Sequence, residues 1–136
     1  MNASEPSFQY AFQLTVLPEH IDNQQHVNNV VYVQFMQEVA NRHWQKVVTP
    51  ELDQEVVWVV RKHKIEYLAP AYLGEVLEIR TCTGDHTAVT WNRHYEIIRL
   101  SDQKRIIRAK SSWVLLDKIS GKPRRIDEAI LTVFSK

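Results

Sequence analysis

One long stretch of this 136-residue chain repeats its apolar residues at the spacing of an α-helix, and no second stretch of that length does. Val30, Val31, Tyr32, Val33, Phe35, Met36, Val39, Ala40 and Trp44 fill helical rows, while Gln34, Glu38, Asn41, Arg42 and Gln45 gather in one polar stripe. The pattern predicts a helix from about Asn29 to Val47 or Val48, roughly 30 Å long, with Asn28 or Asn29 as its N-cap. A single helix that is apolar along most of one side has to be laid across a sheet to bury that side.

The flanking segments supply the sheet. Phe8, Tyr10, Phe12, Leu14 and Val16 alternate with Gln9, Ala11, Gln13 and Thr15, a strand with one buried face that Pro18 ends. After a polar connection at Pro50–Glu55, four strand-like segments follow: Val56–Tyr67, 75–83, 88–100 and 105–117. The third carries Val89, Trp91, Tyr95 and Ile97 on one face. Gly74, Gly84 and Gly121 fall between or after these segments, where turns need them. Long consecutive strands with short links argue for an antiparallel sheet, and the chain reads as α+β. Residues 127–134 have the spacing of a short helical turn, and 1–7, small and polar with Pro6, read as a loose terminus.

Residues able to carry chemistry crowd the start of the helix. Asp22, His26, Asn28 and Asn29 lie within eight residues. An Asn cap accepts one of the free first-turn N–H groups, and the remaining donors with the helix dipole form a positive patch suited to an anion or a developing oxyanion. Taken alone, Asp22 has two readings, an Asx turn or a catalytic carboxylate. His26 either orients Asp22 or the substrate, or packs as a neutral hydrogen-bonded histidine. Tyr32, one turn into the helix, reads as core.

The run Asp22-x-x-x-His26-Val27-Asn28-Asn29-x-x-Tyr32 resembles the Asp-x-x-Gly-His-Val-Asn-Asn-x-x-Tyr signature of hotdog-fold acyl thioesterases, the relatives of 4-hydroxybenzoyl-CoA and acyl-ACP thioesterases. Tyr67-Leu-Ala-Pro-Ala, Leu73-Gly74-Glu75, Trp113-Val-Leu-Leu-Asp117 and Gly121-Lys-Pro extend the likeness over 8–125. Gln25 departs from it, standing where many members have glycine, and Gln24 occupies the place of a catalytic Asn in the plant enzymes. The resemblance implies a hotdog fold, a curved antiparallel sheet wrapped around one long central helix, in a single domain spanning 1–136. It implies hydrolysis of an acyl-CoA or acyl-ACP thioester without cofactor or metal, in a homodimer or homotetramer. Asp22 is then nucleophile or general base, the Asn29 backbone N–H polarises the thioester carbonyl, and His26 assists. Asn28 and Tyr32 border the substrate, and the apolar run Trp58, Val59 and Val60 forms a pocket wall facing the second subunit. Glu38 is the alternative carboxylate, because some relatives use one on the helix.

Composition removes other classes. A formal net charge of +1 implies no general affinity for nucleic acid. The only cysteine, Cys82, excludes an intramolecular disulfide and a cysteine zinc site and suits a reducing cytoplasm. His20, His43, His63, His86 and His94 show no metal-ligand spacing. No apolar run approaches a membrane span and the N-terminus lacks a secretory pattern, so a cytoplasmic protein is expected. Arg61, Lys62 and Lys64, or Lys122, Arg124 and Arg125, can meet the phosphates of coenzyme A. A hotdog dehydratase carries a different Asp/His motif. A non-catalytic acyl-binding module gains nothing from a carboxylate at the mouth of an apolar pocket.

Overall fold

The computed structural model describes residues 6–135, so most of the terminus expected to be loose lies outside the described residues. Strand β1 (Tyr10–Thr15) leads through a 3-10 turn (Pro18–His20) to helix α1 (Asn29–Val47), then to α2 (Pro50–Glu55). Four strands follow, β2 (Val56–Tyr67), β3 (Val76–His86), β4 (Thr90–Arg99) and β5 (Lys104–Asp117), and α3 (Glu128–Phe134) comes last. The five strands form one antiparallel sheet in the order β1-β3-β4-β5-β2, leaving β1 and β2 as its edges. This is the α+β hotdog arrangement.

Periodicity accounts for the long elements. β1 alternates half-buried Tyr10, Phe12 and Leu14 with exposed Ala11, Gln13 and Thr15. α1 buries Val31, Tyr32, Phe35, Met36, Val39, Ala40, His43 and Trp44, and its polar stripe is exposed. Val30 departs from the apolar reading and is 64% exposed on the outer side. The buried side packs against β1 and β3, which leaves Trp58, Val60 and Ile65 of β2 only partly covered. Each fully buried large apolar side chain contributes about 1.5–3 kcal/mol, an upper figure because the unfolded chain already hides some surface.

Three local features differ from expectation. The connection at Pro50–Glu55 is the helix α2: Thr49 caps it, its Oγ1 accepting the Leu52 N–H at 3.2 Å, and Pro50 opens the first turn. The buried Leu52 then fastens the turn to the core. Gly84 does not lie between strands. It sits inside β3, which continues to His86, at a register shift between Thr83 and His86. A Cβ there would stand 2.7 Å from His94 Nε2, so any other residue has to push the His94 ring aside. β2 shifts register between Val60 and Lys62. The bulged Arg61 moves the inward face from Val56, Trp58 and Val60 to His63 and Ile65, keeping both halves of the strand turned toward the core.

Candidate active site: the loop before the long helix

The loop between the 3-10 turn and α1 is closed by an antiparallel bridge between Ile21 and Val27. Asp22 N–H donates to the His26 carbonyl at 3.0 Å, Gln25 N–H to the Asp22 carbonyl at 3.2 Å, and Val27 N–H to the Ala71 carbonyl at 2.9 Å. Gln25 takes φ +70°, the left-handed region that favours glycine, which accounts for the glycine at this place in the resembling signature. The turn puts Asp22 Oδ1 3.8 Å from His26 Nδ1, both side chains about a third exposed. The same oxygen accepts the Gln24 N–H at 2.8 Å. That is an Asx turn, and it leaves Oδ2 with no partner among the described residues. The turn reading and the catalytic one are therefore compatible on a single carboxylate.

The helix start has the expected form. Asn28 caps α1, its Oδ1 accepting the Val30 N–H at 3.0 Å, and its own N–H donates to the His20 carbonyl. Its carbonyl accepts the Val31 N–H at 2.9 Å. The Asn29 N–H has no acceptor among the described residues, so one donor at the positive end of the dipole is free for a ligand. His20 Nδ1 accepts the Leu17 N–H and its ring stands edge-on to Phe35, which holds the loop against the helix.

Tyr32 is 3% exposed, packed between Phe35 and Tyr67. Its hydroxyl is buried near the Ala71 backbone without a well-formed hydrogen bond, and burial, the larger effect, lifts its pKa to about 12. The structure separates the three β2 residues. Trp58 and Val60 turn inward, whereas Val59, 42% exposed, lies on the other face of the strand. Glu38 is exposed and paired with Arg42 at 2.9 Å. Arg61, Lys62 and Lys64 are exposed, while Arg124 is held by Glu55 at 3.0 Å. No group of three His, Cys, Asp or Glu side chains among the described residues is placed to hold a metal. No helix among them is long and apolar enough to cross a membrane.

Toward the other end of α1 lies a cavity of about 280 Å³ that the sequence reading did not foresee. All four tryptophans, Trp44, Trp58, Trp91 and Trp113, line it together with Phe134. Arg93 lies in the same wall and is 7% exposed. Its Nη1 donates to His43 Nδ1 at 2.9 Å and Thr81 Oγ1 at 3.1 Å, and no carboxylate pairs with it among the described residues. Because the guanidinium donates, His43 carries its proton on Nε2. Burial, then the charges of Arg93 and Lys46, lower the His43 pKa to about 4. Strict alternation from Trp91 to Tyr95 would have turned Arg93 inward; its charge hid it. A second buried chain links His63 Nδ1 to Ser111 Oγ at 2.6 Å, beside Tyr95, whose hydroxyl accepts from Trp113 Nε1 at 2.9 Å.

A family model describing the acyl-ACP thioesterase N-terminal domain matches residues 6–134. The chain belongs to the acyl-ACP thioesterase family. A thioesterase from Thermus thermophilus, solved with coenzyme A and zinc, superposes with a TM-score of 0.83 at 21% identity, over 96% of this chain and 100% of that one. A 1,4-dihydroxy-2-naphthoyl-CoA thioesterase from Synechocystis gives 0.80 at 15% identity, over 93% and 96%. A 12:0-ACP thioesterase from Umbellularia californica also gives 0.80 at 15%, over 93% of this chain and 49% of that one. These structures share the hotdog fold with this chain. No curated protein matches it in sequence.

Proposed function

We propose that the protein hydrolyses the thioester of an acyl-CoA to the free acid and coenzyme A. The observation that carries this reading is the unengaged Asn29 N–H at the start of α1, reached through a closed loop that presents Asp22 with one oxygen free. A thioester carbonyl laid against that N–H is polarised, and the negative charge gathering on its oxygen in the transition state meets a fixed donor at the positive end of a helix. Asp22 then acts in one of two ways through its free oxygen. As general base it takes a proton from water while the water oxygen bonds to the carbonyl carbon; as nucleophile it bonds there itself, and water cleaves the resulting anhydride. In both, the carbon–sulfur bond breaks and the thiolate leaves. His26, 3.8 Å from the carboxylate, is assigned the role of assisting it. An acyl-ACP substrate is the second reading, favoured by the description of the matching family model.

The test is a panel of short, medium, long and aryl acyl-CoAs, with release of free thiol as the readout, on wild type and Asp22→Asn. The substitution keeps shape and hydrogen bonding but removes charge and basicity. General-base contributions are worth about 10² to 10⁴ in rate, so turnover should fall at least about a hundredfold. Affinity for a non-hydrolysable thioether analogue should hold. If Asp22→Asn keeps more than about a tenth of wild-type turnover, below even that range of losses, Asp22 is not the catalytic carboxylate and Glu38 is tested next.

A further inference from the structure

The cavity at the far end of α1 combines two features that ordinary core packing avoids. Its wall sets four indoles and a phenyl ring among polar side chains, Lys118 included, around about 280 Å³ of space, close to twice the roughly 150 Å³ apolar cavity that takes up benzene. The same wall holds a guanidinium, Arg93, that is taken out of water without a carboxylate to neutralise it. Its two hydrogen-bond partners, His43 and Thr81, are neutral and both engage Nη1, and the guanidinium lies over the Phe134 ring at 5.6 Å to the centroid, so Nε and Nη2 keep no hydrogen-bond partner among the described residues. The acidic side chain in the lining, Asp53, is occupied instead by Trp44 Nε1 at 3.3 Å and Gln45 Nε2 at 3.4 Å. A fork of N–H donors in an aromatic chamber matches a planar carboxylate joined to a ring.

We infer that this cavity is a binding site for an aromatic carboxylate, and that it holds the free-carboxylate end of an aryl acyl group whose other end is the thioester. The second half rests on the thioesterase reading. Within one chain the cavity is remote from the catalytic loop, since Asn29 and Trp44 are about 22 Å apart along the helix axis. A pair joined at the free edge of β2 would bring them together. If two β2 edges pair antiparallel about Arg61, Val56 and Trp58 stand opposite the far end of the partner's strand. That end carries Tyr67, whose ring packs on Tyr32 in the first turn of α1. The cavity of one copy thus faces the helix start of the other.

All four tryptophans line the site, so intrinsic fluorescence reports its occupancy directly. Titration of the full chain with benzoate and with benzamide, its uncharged counterpart, should show benzoate binding at least tenfold more tightly. Arg93→Met should abolish the difference and Arg93→Lys should retain part of it. Equal affinities in wild type overturn the inference, and that comparison stands even if Arg93→Met does not fold. The link to the acyl group is tested by turnover of the mono-CoA thioester of terephthalate against benzoyl-CoA, with kcat/KM expected to favour the former at least tenfold. Equal values with benzoate preference intact overturn the link. Benzoate preference in a protein that hydrolyses no thioester supports the cavity assignment and counts against the proposed function alone.

Discussion

His43 shows how one buried side chain ties stability to acidity. Its ring accepts from the Arg93 guanidinium and stacks near Tyr10 and Phe134, and burial holds it neutral with a pKa of about 4 instead of 6.5. The unfolded chain therefore binds a proton at His43 between about pH 6.5 and 4 that the folded chain refuses. Stability is unaffected at pH 7, falls as pH drops through that window, and the loss is complete below about pH 4. At about 1.36 kcal/mol per pKa unit the full loss is roughly 3 kcal/mol. His63 and His94, both lowered by burial, act in the same direction. His43→Gln keeps an acceptor for Arg93 and removes the titration. Melts of wild type should therefore drop more steeply from pH 7 to pH 4.5 than those of the variant, and parallel curves would rule His43 out. His26→Ala, beside Asp22, should lower turnover less than Asp22→Asn does. It should lower melting temperature more, the result expected of a mainly structural histidine.

For α1 the informative position is its cap. Asn28→Ala removes the acceptor for the Val30 N–H, which typically costs about 1 kcal/mol, and it frees the turn that aims the Asn29 N–H, so stability and turnover should fall together. Asn28→Asp separates the two effects. Aspartate caps equally well and its charge suits a helix N-terminus by about 0.3–1 kcal/mol, yet it opposes the oxyanion that the same terminus must stabilise. Its melting temperature should equal or exceed that of wild type while kcat falls; unchanged kcat would remove the helix start from the reaction. The bounds of α1 and the succession of strands along the α+β chain were legible because apolar spacing of 3.6 or 2 is written along many residues at once, whereas the order of the strands in the sheet was not. Gly84 inside β3 and the bulge at Arg61 were not, because each depends on the strand alongside: His94 in one case, the partner register on β5 in the other. In the site, Asp22, His26 and the Asn28 cap are neighbours in sequence and could be read there. The cavity is assembled from α1, β2, β4, β5 and α3, and residues that distant share no local pattern.

The whole sheet is unfinished at β2. This edge strand runs for 12 residues, with Val57 and Val59 exposed at 38% and 42%, and its outer backbone groups are unpaired among the described residues. Natural proteins blunt such an edge with charge, proline or a covering element, because it otherwise recruits another strand. Here the charges Lys62 and Lys64 sit only beyond the bulge, and the apolar half is bare. The concave side next to it is equally incomplete, with α1 lying over β1 and β3 and Trp58 and Val60 half covered. We propose that a second copy joined edge to edge meets both needs, in a homodimer alone or doubled to a tetramer. Light scattering at micromolar concentration should give at least about 32 kDa, twice the 16.0 kDa of one chain. A lysine in place of Val59 points away from the core and, unlike one at Val57, does not enter the cavity wall, so it should leave the fold intact while blocking strand addition. That variant should run as a monomer with a circular dichroism spectrum like that of wild type. Its turnover should fall with dissociation, because the loop of one copy and the cavity of the other are then parted. A wild-type monomer that is fully active at the same concentration would sink the dimer and, with it, the shared site.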